Sequence, residues 1–238
     1  MFDLFIGILF FFSSFSFSEF TEIKSCDNDD SFSIVCGFQN PEDLYLSPSQ
    51  NKIIISEFGS LAPNTKYGKI SFYDLVTESK GIPNFLYEEN TWGDPKCELK
   101  SRQLSPHGMD LIQRDDGRYM LAVVNHLPSE SIELFELVEN DSIELIWRGC
   151  VDAPENKYFN DVALKTDGSF YITHMYDFDS SQWAIAFASM IKNPTGEVYF
   201  WNLEEGFASV PNTKGSFPNG IDLDANEENL YINYWFSG

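Results

Sequence analysis

Asn160-Asp161-Val162-Ala163-Leu164-Lys165-Thr166-Asp167-Gly168-Ser169-Phe170-Tyr171-Ile172-Thr173-His174 is the stretch that decides the fold of this chain. Two short runs rich in β-branched and aromatic residues flank Thr166-Asp167-Gly168, residue types that favour a tight turn, so the stretch reads as a hairpin. Its opening pattern is a polar residue, then Asp or Gly, then alternating apolar positions. The same pattern opens Glu42-Asp43-Leu44-Tyr45-Leu46, His107-Gly108-Met109-Asp110-Leu111 and Asn219-Gly220-Ile221-Asp222-Leu223. Each is followed by a turn, at Ser47-Pro48-Ser49-Gln50, Arg114-Asp115-Asp116-Gly117 and Asp224-Ala225-Asn226-Glu227, and then by a second β-rich run from Lys52, Tyr119 or Leu230. The units begin at 42, 107, 160 and 219, at intervals of 65, 53 and 59 residues. A hairpin recurring in this way predicts an all-β chain, a β-propeller whose four-stranded antiparallel blades surround a central channel. Further strands are predicted over 69–75, 131–138 and 197–203.

Glu42, His107, Asn160 and Asn219 each stand at the start of a unit's first strand. That strand is innermost in a propeller blade, so the four polar groups are expected to converge at one end of the channel. The fourth unit stops after its second strand, which reads as a ring truncated at the C-terminus, with about four blades.

The chain has 238 residues, with 15 Lys and Arg against 37 Asp and Glu, a net charge of −22. Nucleic-acid affinity comes largely from cations that neutralise phosphates, so a nucleic-acid partner is excluded. Hydrophobic residues make up 43% and aromatic residues 16%, which excludes a mainly disordered chain and allows a sizeable core. Residues 4–12 are an apolar run too short to span a bilayer comfortably but of the right length for the core of a signal peptide. Ser16 and Ser18 suit a cut before Glu19, although the first residues carry Asp3 and no Lys or Arg. We read 1–18 as a signal peptide and 19–238 as the partial propeller, secreted or otherwise extracytoplasmic. A retained segment would instead associate the chain with a membrane.

Four Cys in an oxidising space can form two bridges, with three connectivities open. Cys97 and Cys150 each lie ten residues before a unit, ahead of His107 and Asn160. Those equivalent positions favour a Cys97–Cys150 bridge tying adjacent blades, and Cys26–Cys36 then closes a short loop. No Cys or His spacing suits zinc, and no Gly-x-Ser-x-Gly elbow supports a serine hydrolase. Asn140-Asp141-Ser142 is a lone glycosylation sequon.

Five stretches, in order, resemble the paraoxonase/arylesterase family. They are Pro41-Glu42-Asp43-Leu44, Ser105-Pro106-His107-Gly108-Met109, Val123-Val124-Asn125-His126, Phe159-Asn160-Asp161-Val162 and Phe217-Pro218-Asn219-Gly220-Ile221. Singly they are weak; the pairing of Pro-His-Gly with Val-Asn-His is fairly specific. The resemblance implies a six-bladed propeller that hydrolyses small lactones and aryl esters and binds two calcium ions. Through it, Glu42, Asn160 and Asn219 match ligands of a catalytic calcium. Asp43 and Asp161 match side-chain ligands of a buried structural calcium, to which Met109 would add a backbone carbonyl. His107 and His126 match the histidine pair implicated in hydrolysis. The family completes its site with an Asp and an Asn from a later blade that the four units do not include, so the chain is expected to be a fragment. Two alternatives stand beside this: a gluconolactonase-like sugar-lactone hydrolase, and a non-catalytic calcium-stabilised propeller that binds a ligand.

The residue types suit this chemistry. Calcium takes six to eight oxygen ligands, and carboxylates and amides supply them. A neutral His107 can deprotonate a water, with His126 orienting it or relaying the proton. Segment 180–192 is apolar. Trp183, Phe187 and Met190 would form a wall for an acyl chain, or the segment is simply a packed helix or buried strand. His174, at the end of a second strand, would border the site or be simply structural.

Overall fold

The computed structural model describes Cys26, residues 33–59 and residues 66–236. The expected signal segment 1–18 lies outside the described residues. The chain divides into two units, Met1–Gly37 and Phe38–Gly238. In the first, Cys26 is bridged to Cys36.

The second unit is all-β apart from one helix among its described residues. β1 (Pro41–Leu46), β2 (Lys52–Glu57), β3 (Lys69–Asp74) and β4 (Ser79–Gly81) form one antiparallel sheet in chain order. β6 (Pro106–Gln113), β7 (Tyr119–Asn125), β8 (Ser131–Glu139) and β9 (Ile143–Asp152) form the second. β5 (Asn84–Tyr87), not foreseen from the sequence, runs parallel to β9 at its outer edge. β10 (Lys157–Leu164), β11 (Phe170–Asp177), β12 (Glu197–Asn202) and β13 (Gly206–Ser209) form the third sheet, and β14 (Pro218–Leu223) and β15 (Leu230–Tyr234) a hairpin. The first strands β1, β6, β10 and β14 lie side by side in that order.

One turn closes all four hairpins. The amide of the fourth turn residue donates to the carbonyl of the first: Gln50 to Ser47, Gly117 to Arg114, Gly168 to Lys165 and Glu227 to Asp224. That fourth residue is left-handed each time, with φ of 60°, 83°, 89° and 57°. Glycine meets the demand at no steric cost in two of the turns, while Gln50 and Glu227 carry a side chain there.

Alternation along the strands then builds the core. Met120, Ala122 and Val124 of β7 face the third sheet, packing with Phe159, Val162, Phe170 and Ile172. Leu121 and Val123, pointing the other way, pack with Ile54, Ile70, Phe135 and Trp147. Successive strand residues point to opposite faces, so a strand buried on both sides needs the unbroken apolar run that β7 has. Each fully buried side chain of this size contributes about 1.5–3 kcal/mol.

One aspartate per junction fastens neighbouring sheets. Asp43 Oδ2 accepts from Met109 N (2.9 Å), Asp110 Oδ2 from Leu164 N (2.6 Å) and Asp161 Oδ2 from Ile221 N (3.0 Å). The other oxygen of each accepts the amide of the next residue, Leu44, Leu111 or Val162. An intramolecular hydrogen bond contributes about 0.5–1.5 kcal/mol.

Cys97 is bridged to Cys150, with Cα atoms 5.6 Å apart. Its setting corrects the expectation of a tie between blades. β9 runs on through Asp152, so Cys150 is still paired with Glu133 in the second sheet. The bridge therefore fastens the loop before β6 to its own sheet, inside the core with Leu104 and Trp147.

Candidate active site

The ladders break at one equivalent place in each hairpin. Register shifts between Pro41 and Asp43, Pro106 and Met109, Phe159 and Val162, and Pro218 and Ile221. The residues inside those breaks are Glu42, His107-Gly108, Asn160-Asp161 and Asn219-Gly220. A bulge frees a residue from the ladder and re-aims its side chain. Here the four bulges bring Glu42, His107, Asn160 and Asn219 to the lining of one cavity of about 760 Å³. Its walls include Tyr158, Tyr176, Ile185, Phe217 and Trp235. Gly108 allows the close approach of two first strands: a Cβ there would lie 2.2 Å from Asp161 Oδ1 and 2.6 Å from the Asn160 carbonyl oxygen.

His107 is the hub. Its Nε2 lies 3.4 Å from Glu42 Oε2 and 3.5 Å from Asn160 Nδ2. Its Nδ1 is 2.9 Å from Nε2 of His126, the residue that follows β7. His126 is fully buried beneath it and stacks on Tyr158 at 4.4 Å, and Tyr158 stacks on Tyr176 at 4.8 Å. On its far side His126 Nδ1 is 2.6 Å from Glu130 Oε1, and Glu130 Oε2 accepts from Phe159 N at 3.4 Å. Glu130 was absent from the sequence reading. It is a single acid in a loop, and only a loop that turns back on the histidine brings it there.

The charges follow from these surroundings. Burial pushes the His126 imidazole well below its ordinary range, with His107 adding to the effect, so His126 is neutral. The neighbouring His107 imidazole holds the Glu42 carboxyl below the usual value. Burial raises Glu130 to about 8. Asp161 also rises to about 8, through burial and then the charge of Asp43, and Asp43 itself is raised by burial.

Two groups of oxygen donors suit a hard cation. Glu42, Asn160 and Asn219 line the cavity, where Asn219 Oδ1 also accepts from Gly220 N at 3.0 Å. Asp43 and Asp161 lie one residue further along, and Met109 is placed beside them by the hydrogen bond from its amide to Asp43. Two half-buried carboxylates, one of which raises the pKa of the other, are a setting a divalent cation relieves, so the donor chemistry fits calcium. Among the described residues no group of three or more His, Cys, Asp or Glu side chains converges as a metal site. The donors are instead a mixture of carboxylate and amide oxygens, a set unlike that of zinc.

Segment 180–192 is a helix, α1 (Gln182–Ile191), capped by Ser181. Trp183, Phe187 and Met190, the expected apolar wall, are 86%, 59% and 74% exposed. They share one helix face by their spacing of four and three. The other face supplies the wall through Ile185, with Ser189 beside it. His174 is buried away from the cavity lining, 3.3 Å from Asp177 Oδ1 and edge-on to Tyr199.

The family model described as Arylesterase matches residues 40–236, a span that takes in all four bulges. No individual curated protein matches the chain.

Proposed function

The chain belongs to the arylesterase family, a family of ester hydrolases, and on that premise we propose that its cavity hydrolyses aryl esters and lactones with calcium bound by Glu42, Asn160 and Asn219. We further read the sheets as blades of a propeller, with a second, structural calcium held by Asp43, Asp161 and Met109. One observation carries the reading. Four side chains at equivalent bulges of four separate hairpins meet at one cavity, an arrangement that packing alone does not require.

A bound calcium supplies Lewis-acid polarisation of a carbonyl oxygen there. The chain's own residues do the rest. His107 Nε2, at the cavity, accepts a proton from the attacking water. His126, neutral and locked between Tyr158 and Glu130, holds His107 through Nδ1. The aromatic walls receive an aryl ring, and the apolar face of Ile185 and Phe217 excludes water from it. The two disulfides suit folding in an oxidising, extracytoplasmic compartment.

The test is an assay of the full chain with calcium on an aryl acetate and a lactone, beside the Glu42→Gln variant. The variant is expected to lose turnover and to keep its melting temperature, because Glu42 lies at the cavity rather than at a junction between sheets. Absence of turnover from the unsubstituted chain in calcium would sink the reading.

A further inference from the structure

Two imidazoles joined Nδ1 to Nε2, with one proton between them, can point it either way along the line. In one orientation His107 Nε2 offers a lone pair to the cavity and can act as a base. In the other it carries a proton and cannot. Whatever bonds the far nitrogen of the inner ring makes the choice.

We propose that Glu130 is the positioning residue that makes it: its carboxylate accepts the Nδ1–H of His126, His126 Nε2 therefore accepts the Nδ1–H of His107, and His107 Nε2 is left with its lone pair facing the cavity. The carboxylate only accepts hydrogen bonds, so it admits one tautomer of His126. The 2.6 Å contact is in the short range of charge-assisted bonds. Glu130 is itself fixed by the Phe159 amide, one residue before Asn160. At the other end of the line His107 Nε2 faces Asn160 Nδ2, the donor a lone pair would take, and Glu42 Oε2, which would take a proton but at 3.4 Å is a far longer contact than the 2.6 Å at Glu130.

The same geometry makes the choice depend on pH. Once protonated, the Glu130 carboxyl can donate to His126 Nδ1, which reverses both rings and puts a proton on His107 Nε2. The titratable groups that face Glu130 are His126, His107, Tyr158 and Tyr176. Burial holds this carboxyl up at about 8, so the lone-pair form is expected to grow as pH rises through that value.

The assignment rests on the hydrolase reading only for its effect on rate, and the tautomers can be read without it. The chain has three His, so imidazole ¹⁵N–¹H correlation spectra of the full chain carry only His107, His126 and His174. Above the Glu130 transition, His126 and His107 are both expected as Nδ1–H tautomers, reversing below it. Glu130→Leu is expected to remove the reversal and lower kcat about tenfold or more with little change in KM. Glu130→Asp should restore part of both. The His174 signals report whether a variant is folded, and if Glu130→Leu does not fold, the titration of the unsubstituted chain decides alone. An Nε2–H tautomer of His126 at high pH, or tautomers indifferent to Glu130, would overturn the proposal. Expected tautomers without ester turnover would uphold it and count against the hydrolase reading instead.

Discussion

The two ends of the four hairpins obey different rules. At the turn end the backbone is the same four times over, with one hydrogen-bond pattern and one left-handed position, at Gln50, Gly117, Gly168 and Glu227. At the other end the backbone is again repeated, as a bulge, but the residues it presents differ: Glu42, His107, Asn160 and Asn219. Repetition of both backbone and tolerance marks architecture. Repetition of backbone with three kinds of polar side chain marks a site, since a carboxylate, an imidazole and two amides do different chemistry from equivalent positions.

The sharpest way to break this contrast is at the bulge end. His107→Gln is expected to lower kcat/KM about a thousandfold, near 4 kcal/mol of transition-state stabilisation, with no change in melting temperature. A variant that melts early would make His107 structural and the contrast false.

Removing the Cys97–Cys150 bridge touches neither end. Its partners are 53 residues apart, and a crosslink closing such a loop stabilises by about 4 kcal/mol through the unfolded chain. Cys97→Ser with Cys150→Ser should lower the denaturant midpoint while KM at low denaturant stays the same.

The bulge end should also make stability depend on pH near neutrality when calcium is chelated. Asp161 and Glu130 both rise to about 8 in the folded chain, far above their unfolded values. The folded state then holds more protons, so stability falls as pH rises from 6.5 to 8, by about 2 kcal/mol for each group. Thermal melts in chelator should show that fall. Calcium should reduce it through Asp161 and leave the Glu130 part, and a pH-independent melt would contradict the burial argument.

At the turn end the expected effects are smallest and of opposite sign. Gly117→Ala, with open space around its Cβ, should cost about 1 kcal/mol through φ strain alone. Gln50→Gly should stabilise by a similar or smaller amount. Neither should alter turnover.

Hairpins, turns and the four converging residues were legible in the sequence because each rests on local chemistry: alternation, turn formers, and a polar residue before each strand. What depended on long-range placement was not. Glu130 has no periodicity to announce it. β5 is too short to be distinguished from loop, and its parallel partner lies some sixty residues on. Cys150 sits in register with Glu133 because β9 is ten residues long, a length the apolar pattern does not set. In α1 the apolar composition suggested a wall of Trp183, Phe187 and Met190, but it did not show that these turn to solvent while Ile185 meets the cavity.

The measurement closest to the central claim is the rate of aryl-ester hydrolysis by the full chain against free calcium concentration, beside Asn219→Ala. We expect a saturable rise from a chelated rate near zero, with Asn219→Ala shifted to higher calcium and its fold intact. An equal rate in chelator and in calcium would contradict the assignment of the four bulges to a calcium-assisted hydrolytic site.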